Sequence, residues 1–298
     1  MILAIGEILF DHFPDYRRVG GAPLNFSWHL KKLGFPVRLL SRVGDDPEGR
    51  ELQSLLNKNG FGEPDLQIDP AHRTGAVNVS VDADGVPAFE ILPDAAFDHL
   101  VMDGSLRSVL GHESDLIYYG TLVQRTSKGR RFMEEVFSHA GGACRFLCDL
   151  NLRPDCWSRD VVEASLARAD VLKLNEDELA TISKLDGINI SGKDPYRSLA
   201  DSYGIEMLAV TRGDKGSEIY SRHGKSSIGP VQGLVVADTV GAGDAYSAIL
   251  AAGYLGKWDP ERILGVASLF SAAICGTEGA LPDTDHFYDE FLEMTKGS

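Results

Sequence analysis

The chain has 298 residues, of which 43% are hydrophobic and 24% are charged, so its composition is that of a globular protein and excludes a disordered chain. Its length fits one large α/β domain or two ordinary ones. The formal charge of −15, from 44 acidic and 29 basic residues, argues against nucleic acid as a partner, because an acidic surface repels a polyphosphate backbone. A small anion is not excluded, since a nest of backbone N–H groups can bind phosphate within an acidic protein.

The first residues are apolar, but they lack a basic segment and meet Glu7 early, so they predict a buried strand and not a signal peptide. No apolar run approaches the ~18 residues of a membrane span. The cysteines match no zinc framework and are typical of buried, reduced thiols: Cys144, Cys148, Cys156 and Cys275. These features predict a cytoplasmic protein without a membrane partner.

Short apolar strands alternate with helical segments along the chain. A first strand at Leu3–Ile5 is followed by a helix at Ala22–Leu33, which stops at Gly34, and then by a strand at Val37–Val43 and a helix at Pro47–Asn59. This alternation predicts an α/β fold with a mostly parallel sheet covered by helices on both faces. Further strands are predicted at Leu116–Tyr119, Phe146–Leu150, Val171–Leu174 and Met207–Val210, and further helices at Lys128–His139, Arg159–Arg168 and Glu176–Lys184.

Two segments depart from this alternation. Thr74–Leu92 has valines at every second position and a tight turn at Asp84-Gly85, which predicts an antiparallel hairpin with one polar face. Ile8–Gly20 predicts a second hairpin that turns near Pro14-Asp15. Two hairpins inserted into a single domain, residues 1–298, predict a small β lid over a cleft.

The segment Asp238–Ala245 follows an apolar run, Leu234–Val236, that predicts a strand, and it opens a helix that runs to about Gly256. A second helix is predicted from Pro260 to about Cys275. Glycines at a helix start expose consecutive N–H groups, and the helix dipole adds positive charge there, so this turn predicts a phosphate site. Asp244 lies in the first turn, where a carboxylate can accept the proton of a hydroxyl that attacks a phosphoryl group.

Two other nucleotide-binding motifs do not fit this chain. A dinucleotide fingerprint needs a third glycine where Tyr246 stands, which argues against a dehydrogenase. A Walker motif at Gly224-Lys225-Ser226 needs a glycine where Ile219 stands. Taken alone, however, Gly241–Asp244 could also be an ordinary helix start with an acidic first turn.

The full string at Asp238–Ala248, DTVGAGDAYSA, closely resembles the second signature of the PfkB (ribokinase-like) carbohydrate kinases. Gly20–Gly49 resembles the first signature of that family, and Lys173–Glu178 resembles its N-x-x-E motif. Thr211–Gly216 is similar to the nucleotide-side loop, and Gly276–Pro282 to the C-terminal Gly-Ala-Leu-Pro segment. The matches occur in the family's order and cover nearly the whole chain. The resemblance implies a ribokinase-like fold and an ATP-dependent sugar kinase.

The resemblance also implies a role for each matched position, with ATP and Mg²⁺ as cofactors, a possible K⁺ ion, and a possible homodimer through the lid. The implied positions are Asp244 as the base; Gly241, Ala242 and Gly243 as its anion hole; Asp11, Gly21 and Asn25 for the sugar; Asn175 and Glu178 for the Mg²⁺-bound phosphates, through water; Thr211, Gly213 and Gly243 for ATP; and Asp238 and Val240 for a monovalent cation.

Several of these positions also have ordinary structural explanations. Asn175 and Glu178 could form a helix cap, and Asp11 could be an exposed acid in a turn. Arg153 follows a predicted strand, at the edge where open α/β sheets bind ligands. It could bind the phosphate or the carboxylate of a substrate, or it could be a surface arginine.

Three segments resemble bacterial fructokinases, and they favour fructose, phosphorylated at the primary hydroxyl O6. They are Gly6–Asp11, Gly21–Phe26 and Gly120–Arg125, of which the last departs from the commoner Gly-Ser-Leu-Ala-Gln-Arg. The Asn-Leu-Arg string at 151–153 is shared with 2-keto-3-deoxygluconate kinases, which use an arginine for the acid group, so that sugar is the alternative substrate. A binding module without catalysis is disfavoured by the intact Asp244.

Overall fold

The computed structural model describes residues 1–62, 65–81, 87–188, 190 and 192–296. In chain order the strands are β1 (Ile2–Ile5), β2 (Leu9–His12), β3 (Arg17–Gly20), β4 (Val37–Gly44), β5 (Leu66–Asp69), β6 (Gly75–Val81), β7 (Pro87–Ile91), β8 (Leu116–Tyr119), β9 (Arg145–Asp149), β10 (Val171–Asn175), β11 (Met207–Thr211), β12 (Ser217–Ser221) and β13 (Gly224–Ile228). The helices are α1 (Ala22–Lys32), α2 (Pro47–Lys58), α3 (Gly104–His112), α4 (Ser127–His139), α5 (Arg159–Arg168), α6 (Glu176–Ile182), α7 (Pro195–Tyr203), α8 (Ala242–Leu255), α9 (Pro260–Cys275) and α10 (Asp289–Thr295).

The large sheet has the strand order β13-β12-β11-β10-β9-β8-β1-β4-β5. Strands β11 to β5 in this order are parallel, while β12 and β13 are antiparallel additions at one edge. The chain leaves β1 towards β4 and β5, and then returns to β8 on the other side of β1. Ligands bind at such a switch point, beyond the carboxyl ends of the strands. The predicted α/β class with a mostly parallel sheet is confirmed.

Both faces of the sheet are covered, which explains why β1 is apolar at every position. Ile2 and Ala4 belong to one core, while Leu3 and Ile5 belong to the core on the opposite face. Within the described residues, no helix is both long enough and apolar enough to cross a bilayer. All four cysteines are free thiols; Cys144 and Cys148 are buried as expected, whereas Cys156 and Cys275 are half-buried.

The two predicted hairpins are confirmed as strand pairs, β2 with β3 and β6 with β7. The sequence did not predict that the two hairpins join into one sheet. Strand β2 pairs in parallel with β6, which gives a sheet of order β3-β2-β6-β7. We call this four-stranded sheet the lid. The turn predicted at Asp84-Gly85 lies outside the described residues.

The strand predicted at Leu234–Val236 is wrong. These residues belong to no strand, and Val235 is 83% exposed. The run of branched apolar residues is typical of a strand, but the large sheet already ends at β13, so the segment has no neighbour to pair with. Instead, Cys275 O accepts hydrogen bonds from the N–H groups of Ala237 and Asp238.

Many of the helices are capped at their N-termini by a side chain, but α1 and α8 are not. For example, Asp46 caps α2 by accepting a hydrogen bond from Gly49 N, and Asp103 caps α3 in the same way. Helices α1 and α8 begin instead at Gly21 and Gly241, and neither has a side-chain cap. The first N–H groups of these two helices therefore remain available to groups from elsewhere in the fold or to a ligand.

Candidate active site

The start of α8 requires a glycine at position 241. Gly241 has φ +79°, and a Cβ there would lie 2.4 Å from Cβ of Ala280. Ala280 belongs to the C-terminal Gly-Ala-Leu-Pro segment, which therefore lies directly against the helix start. The first-turn N–H groups of α8, which include those of Gly243 and Asp244, have no partner within a helix. With the helix dipole, these N–H groups are suited to an anion, and the anion hole at Gly241–Gly243 stays a prediction.

Asp244 lies in this first turn and is held by a residue from the other end of the chain. Asn25, on α1, donates a hydrogen bond from Nδ2 to Oδ2 of Asp244 at 2.8 Å. Asn25 is only 4% exposed, and its Oδ1 is buried without a hydrogen-bond partner in the described part of the chain. A buried acceptor of this kind needs a donor, and a substrate hydroxyl would provide one.

A buried ion pair lies beneath the start of α8. Lys173 Nζ lies 3.1 and 3.2 Å from the two carboxylate oxygens of Asp149. Ser247, one turn further along α8 than Gly243, donates a hydrogen bond to Asp149 Oδ2 at 2.8 Å. A Cβ at Gly243 would lie 3.0 Å from Lys173 Nζ, so the ammonium group directly adjoins the first turn of α8.

The electrostatics of the cleft favour a basic Asp244. Burial raises its pKa to about 6, and the nearby Asp149 adds to the rise, while the bond from Asn25 and the charges of Lys173 and Arg153 oppose it. A carboxylate with a pKa close to neutral pH is well suited to accept a proton from a hydroxyl group. For Lys173, burial disfavours the charged form, but the charges of Asp149, Glu178 and Asp244, together with the hydrogen bond to Asp149, outweigh it and raise the pKa.

The predicted sugar positions lie at the junction between body and lid. Asp11 is half-buried on β2, and burial raises its pKa while Arg153 opposes the rise. Gly21 has φ +116°, and a Cβ there would lie 2.5 Å from the carbonyl oxygen of Glu7, so no side chain fits. Arg153 is exposed at the rim, and its guanidinium forms no ion pair within the described residues. It is therefore available to an anionic group.

The predicted nucleotide positions lie side by side on β10 and β11, where Asn175 is the register partner of Thr211. Asn175 and Glu178 form a capping box at the start of α6: Glu178 N donates to Asn175 Oδ1, and Asn175 N donates to Glu178 Oε2, both at 2.8 Å. The other oxygen of Glu178 accepts a hydrogen bond from Leu152 N at 2.9 Å. Asn175 and Glu178 thus do form a helix cap, and a role towards the Mg²⁺-bound phosphates would be additional to it. Gly213, with φ +55°, opens the turn after β11.

The predicted cation position has a suitable set of oxygen donors. Asp238 Oδ1 accepts a hydrogen bond from Val240 N at 3.0 Å, which leaves this oxygen a second lone pair. Asp238 Oδ2 accepts from Gly279 N at 3.1 Å and from Nη1 of Arg18, a lid residue, at 3.3 Å. A cation is therefore compatible with Asp238, although Arg18 already supplies one positive charge there.

A further cluster, His72, Asp94 and His99, lies where the lid joins the body. The two imidazole rings stack with centroids 3.5 Å apart, and His99 Nε2 lies 2.8 Å from Asp94 Oδ1. Nitrogen lone pairs lie in the ring planes, so stacked rings direct them side by side and not towards one point. The cluster is thus explained as a hydrogen-bonded tie, with Asp69 as the second partner of His72.

Sequence reasoning missed three charged groups of the cleft: Glu7, Asp149 and Lys173. Glu7 is 6% exposed, lies two residues after the end of β1, and interacts electrostatically with Asp244 and Arg153. The available signal was a charged residue within an apolar strand or at its end, because such a residue is rarely buried without a partner.

Comparison with known proteins identifies the family. The profile of the pfkB family carbohydrate kinases matches residues 16–286. A fructokinase from Klebsiella pneumoniae is 32% identical over 294 residues, which cover 95% of this chain and 93% of the relative. The chain belongs to the PfkB family of carbohydrate kinases. It is a sugar kinase, and the resemblance drawn from its motifs is confirmed.

Solved structures show the same fold for this kinase. A sugar kinase from Pyrococcus horikoshii in complex with ATP has a TM-score of 0.83 at 24% identity, with 99% of this chain and 100% of that chain covered. A fructokinase from Vibrio cholerae, with fructose, ADP and a calcium ion bound, has a TM-score of 0.77 at 22% identity, with coverages of 96% and 97%. The predicted ribokinase-like architecture is therefore confirmed.

The raised pKa of Asp244 predicts a pH-dependent cost to stability. The folded state binds the Asp244 proton more tightly than the unfolded state does, so protonation of Asp244 stabilises the fold. This stabilisation is fully present below pH 3.8 and is lost as pH rises through about 6. Asp244→Asn should therefore gain on the order of 1–2 kcal/mol in unfolding free energy relative to wild type between pH 5 and pH 7.5. Urea unfolding at both pH values measures this gain, with exposed Asp160→Asn as the control. Parallel pH curves for wild type and Asp244→Asn would contradict it.

Proposed function

We propose that this kinase transfers the γ-phosphoryl group of ATP to a primary hydroxyl of fructose, O6, with Asp244 as the general base. The observation that carries the proposal is the Asn25–Asp244 pair. One end of the Asn25 amide orients the carboxylate, and the other end is a buried acceptor without a donor. A sugar hydroxyl that donates to Asn25 Oδ1 would lie beside the carboxylate that must accept a proton. We also propose that the reaction takes place in the cytoplasm.

Each group in the cleft has a defined task in this reaction. Asp11 and Asn25 bind the secondary hydroxyls of the sugar, and Gly21 lets the ring approach the backbone. Asp244 accepts the hydroxyl proton while the sugar oxygen forms a bond to phosphorus and ADP leaves with the electron pair of the broken P–O bond. The N–H groups at Gly241–Gly243 stabilise the charge on the transferred phosphoryl oxygens. A protruding primary alcohol reaches the base more easily than a ring hydroxyl does.

The nucleotide would lie across the ends of β10 and β11, against Thr211 and Gly213. The two bound nucleotides of the structural relatives, ATP and ADP, support this class of ligand. Mg²⁺, when bound with the nucleotide, neutralises charge on its phosphates. Asn175 and Glu178 would orient that ion through water, using the lone pairs that their capping box leaves free. For K⁺ we propose Asp238 and the Val240 carbonyl as ligands.

Replacing the base tests the proposed step directly. Asp244→Asn removes the proton acceptor but preserves the shape of the side chain, so turnover should fall by about 10²–10⁴-fold while ATP and fructose still bind. Coupled ADP release measures the rate, and calorimetry measures binding. Retention of more than about a tenth of wild-type turnover would remove Asp244 from this role.

Arg153 decides between the two candidate sugars. It is exposed and electrostatically coupled to the cleft carboxyls, which would suit a substrate carboxylate as well as a phosphate. We expect kcat/KM to be higher for fructose than for 2-keto-3-deoxygluconate, and Arg153→Gln to affect both sugars alike. If the acid sugar is preferred, and Arg153→Gln impairs that sugar selectively, the kinase is a 2-keto-3-deoxygluconate kinase. Steady-state assays with both sugars distinguish these outcomes.

We propose that the lid closes on the sugar and also pairs two subunits. Phe89 is the register partner of buried Val79, so it lies on the apolar face of the lid, yet it is 55% exposed. A second copy would bury it. Small-angle scattering should give a dimer that compacts with fructose, and Phe89→Ser should give a monomer. Leu269→Ser, an exposed leucine of α9, is the control. A wild-type monomer without compaction would refute both parts.

A further inference from the structure

Glu7 occupies a position for which the proposed reaction has so far given no role. It lies between β1 of the body and β2 of the lid, and its side chain is buried. Its Oε1 accepts a hydrogen bond from Ala22 N at 3.1 Å. Ala22 is the first residue of α1, and the preceding Gly21 has no side chain to cap the helix. Glu7 therefore caps α1 from a position fifteen residues earlier in the chain.

The helix that Glu7 caps carries the residue that holds the base. Asn25 follows Ala22 within the first turn of α1, and Asn25 N donates to Gly21 O at 3.0 Å. The Asn25 amide then donates to Asp244 Oδ2 at 2.8 Å. A continuous chain of hydrogen bonds and one helical turn thus joins Glu7 to Asp244. A shift in the start of α1 would move both the orienting amide and the unpaired acceptor that faces the substrate.

The charged surroundings of Glu7 overlap with those of the base. The groups that interact electrostatically with Glu7 are Asp244 on α8, Arg153 after β9 and the hydroxyl of Tyr118 on β8. Asp149, Lys173 and Arg153 act on Asp244 in turn. The pKa of Glu7 is raised to about 7 by burial and, to a smaller extent, by the charge of Asp244, while the bond from Ala22 and the charge of Arg153 oppose the rise. A change in the charge of Asp244 should therefore change the pKa of Glu7.

We propose that Glu7 is a positioning residue, which fixes the start of α1, and through Asn25 the base, and whose carboxyl is electrostatically coupled to that base. The proposal rests on the proposed role of Asp244. Three variants separate its two parts. Glu7→Gln retains an oxygen that can accept from Ala22 N but cannot ionise, whereas Glu7→Ala loses both properties. Asp103→Ala removes an equivalent helix cap from α3, so it reproduces the loss of stability alone.

The kinetic experiment compares these variants with wild type from pH 5 to pH 9. Glu7→Ala should lower kcat about tenfold or more and raise KM for the sugar, because Asn25 and the base are displaced. Glu7→Gln should keep kcat within about threefold at pH 7 but lose the upper of two inflections in the pH profile. Asp103→Ala should lower the melting temperature and leave both features unchanged. If Glu7→Ala changes the kinetics no more than Asp103→Ala does, the positioning role is refuted.

A titration without any substrate completes the test. Carbon-13 NMR of glutamate carboxyls, with the Glu7 signal assigned through Glu7→Gln, should show Glu7 titrating near pH 7 in wild type. In Asp244→Asn its midpoint should fall by about half a unit or more, because a neighbouring negative charge is removed. An unchanged midpoint would refute the coupling. This measurement needs no turnover, so it still decides the coupling if the kinase phosphorylates none of the sugars tested.

Discussion

The active site depends on the buried ion pair between Lys173 and Asp149. It joins neighbouring strands β9 and β10, and Ser247 connects it to α8, so the sheet and the helix that carries Asp244 are fixed to one another. Removing one partner of such a pair leaves an uncompensated buried charge, which typically costs about 3–5 kcal/mol. The pair also places the Lys173 ammonium group beside the N–H groups at the start of α8, while the Asp149 carboxylate balances its charge.

The β2–β3 hairpin of the lid is connected to the body at two glycines. One connection runs through Gly6 and the other through Gly21, and both residues have φ values that favour glycine. The would-be Cβ of Gly21 meets Glu7 O, so the two connections are in contact. From β3, Arg18 reaches Asp238 and Glu278. The lid is therefore also tied by side chains to the segment before α8 and to the segment after α9.

Local patterns predicted most of the parallel sheet, because each strand is buried on both faces and reads as a short apolar run. Some elements were missed, among them helices α3 and α7, which are both only nine residues long. The edge strand β13 was also missed, because it is mostly polar. The union of the hairpins through β2 and β6 depends on a parallel pairing that no local signal encodes. The strand predicted at Leu234–Val236 was wrong because the segment has a strand-like composition but no neighbouring strand to pair with.

The candidate site shows the same difference between features that local patterns predict and features that depend on distant residues. Asp244 and Gly241–Gly243 were singled out from a contiguous motif, and the structure places them together at one helix start. The contact of Asn25 with Asp244 spans 219 positions, and only the resemblance to a family indicated that both belong to one site. Glu7 escaped detection because its partner is a backbone N–H group, and sequence alone does not show which N–H groups are left uncapped.

The contact between Gly241 and Ala280 has a consequence for the way this protein is made. Ala280 lies 39 positions after Gly241, and Asp244 is held by Asn25, 219 positions before it. His29 on α1 is likewise within 3.0 Å of the Tyr288 hydroxyl. Contacts this distant in sequence require a long loop to close, which slows folding. On a nascent chain, the start of α8 therefore cannot reach its final surroundings before Ala280 and Tyr288 have been synthesised.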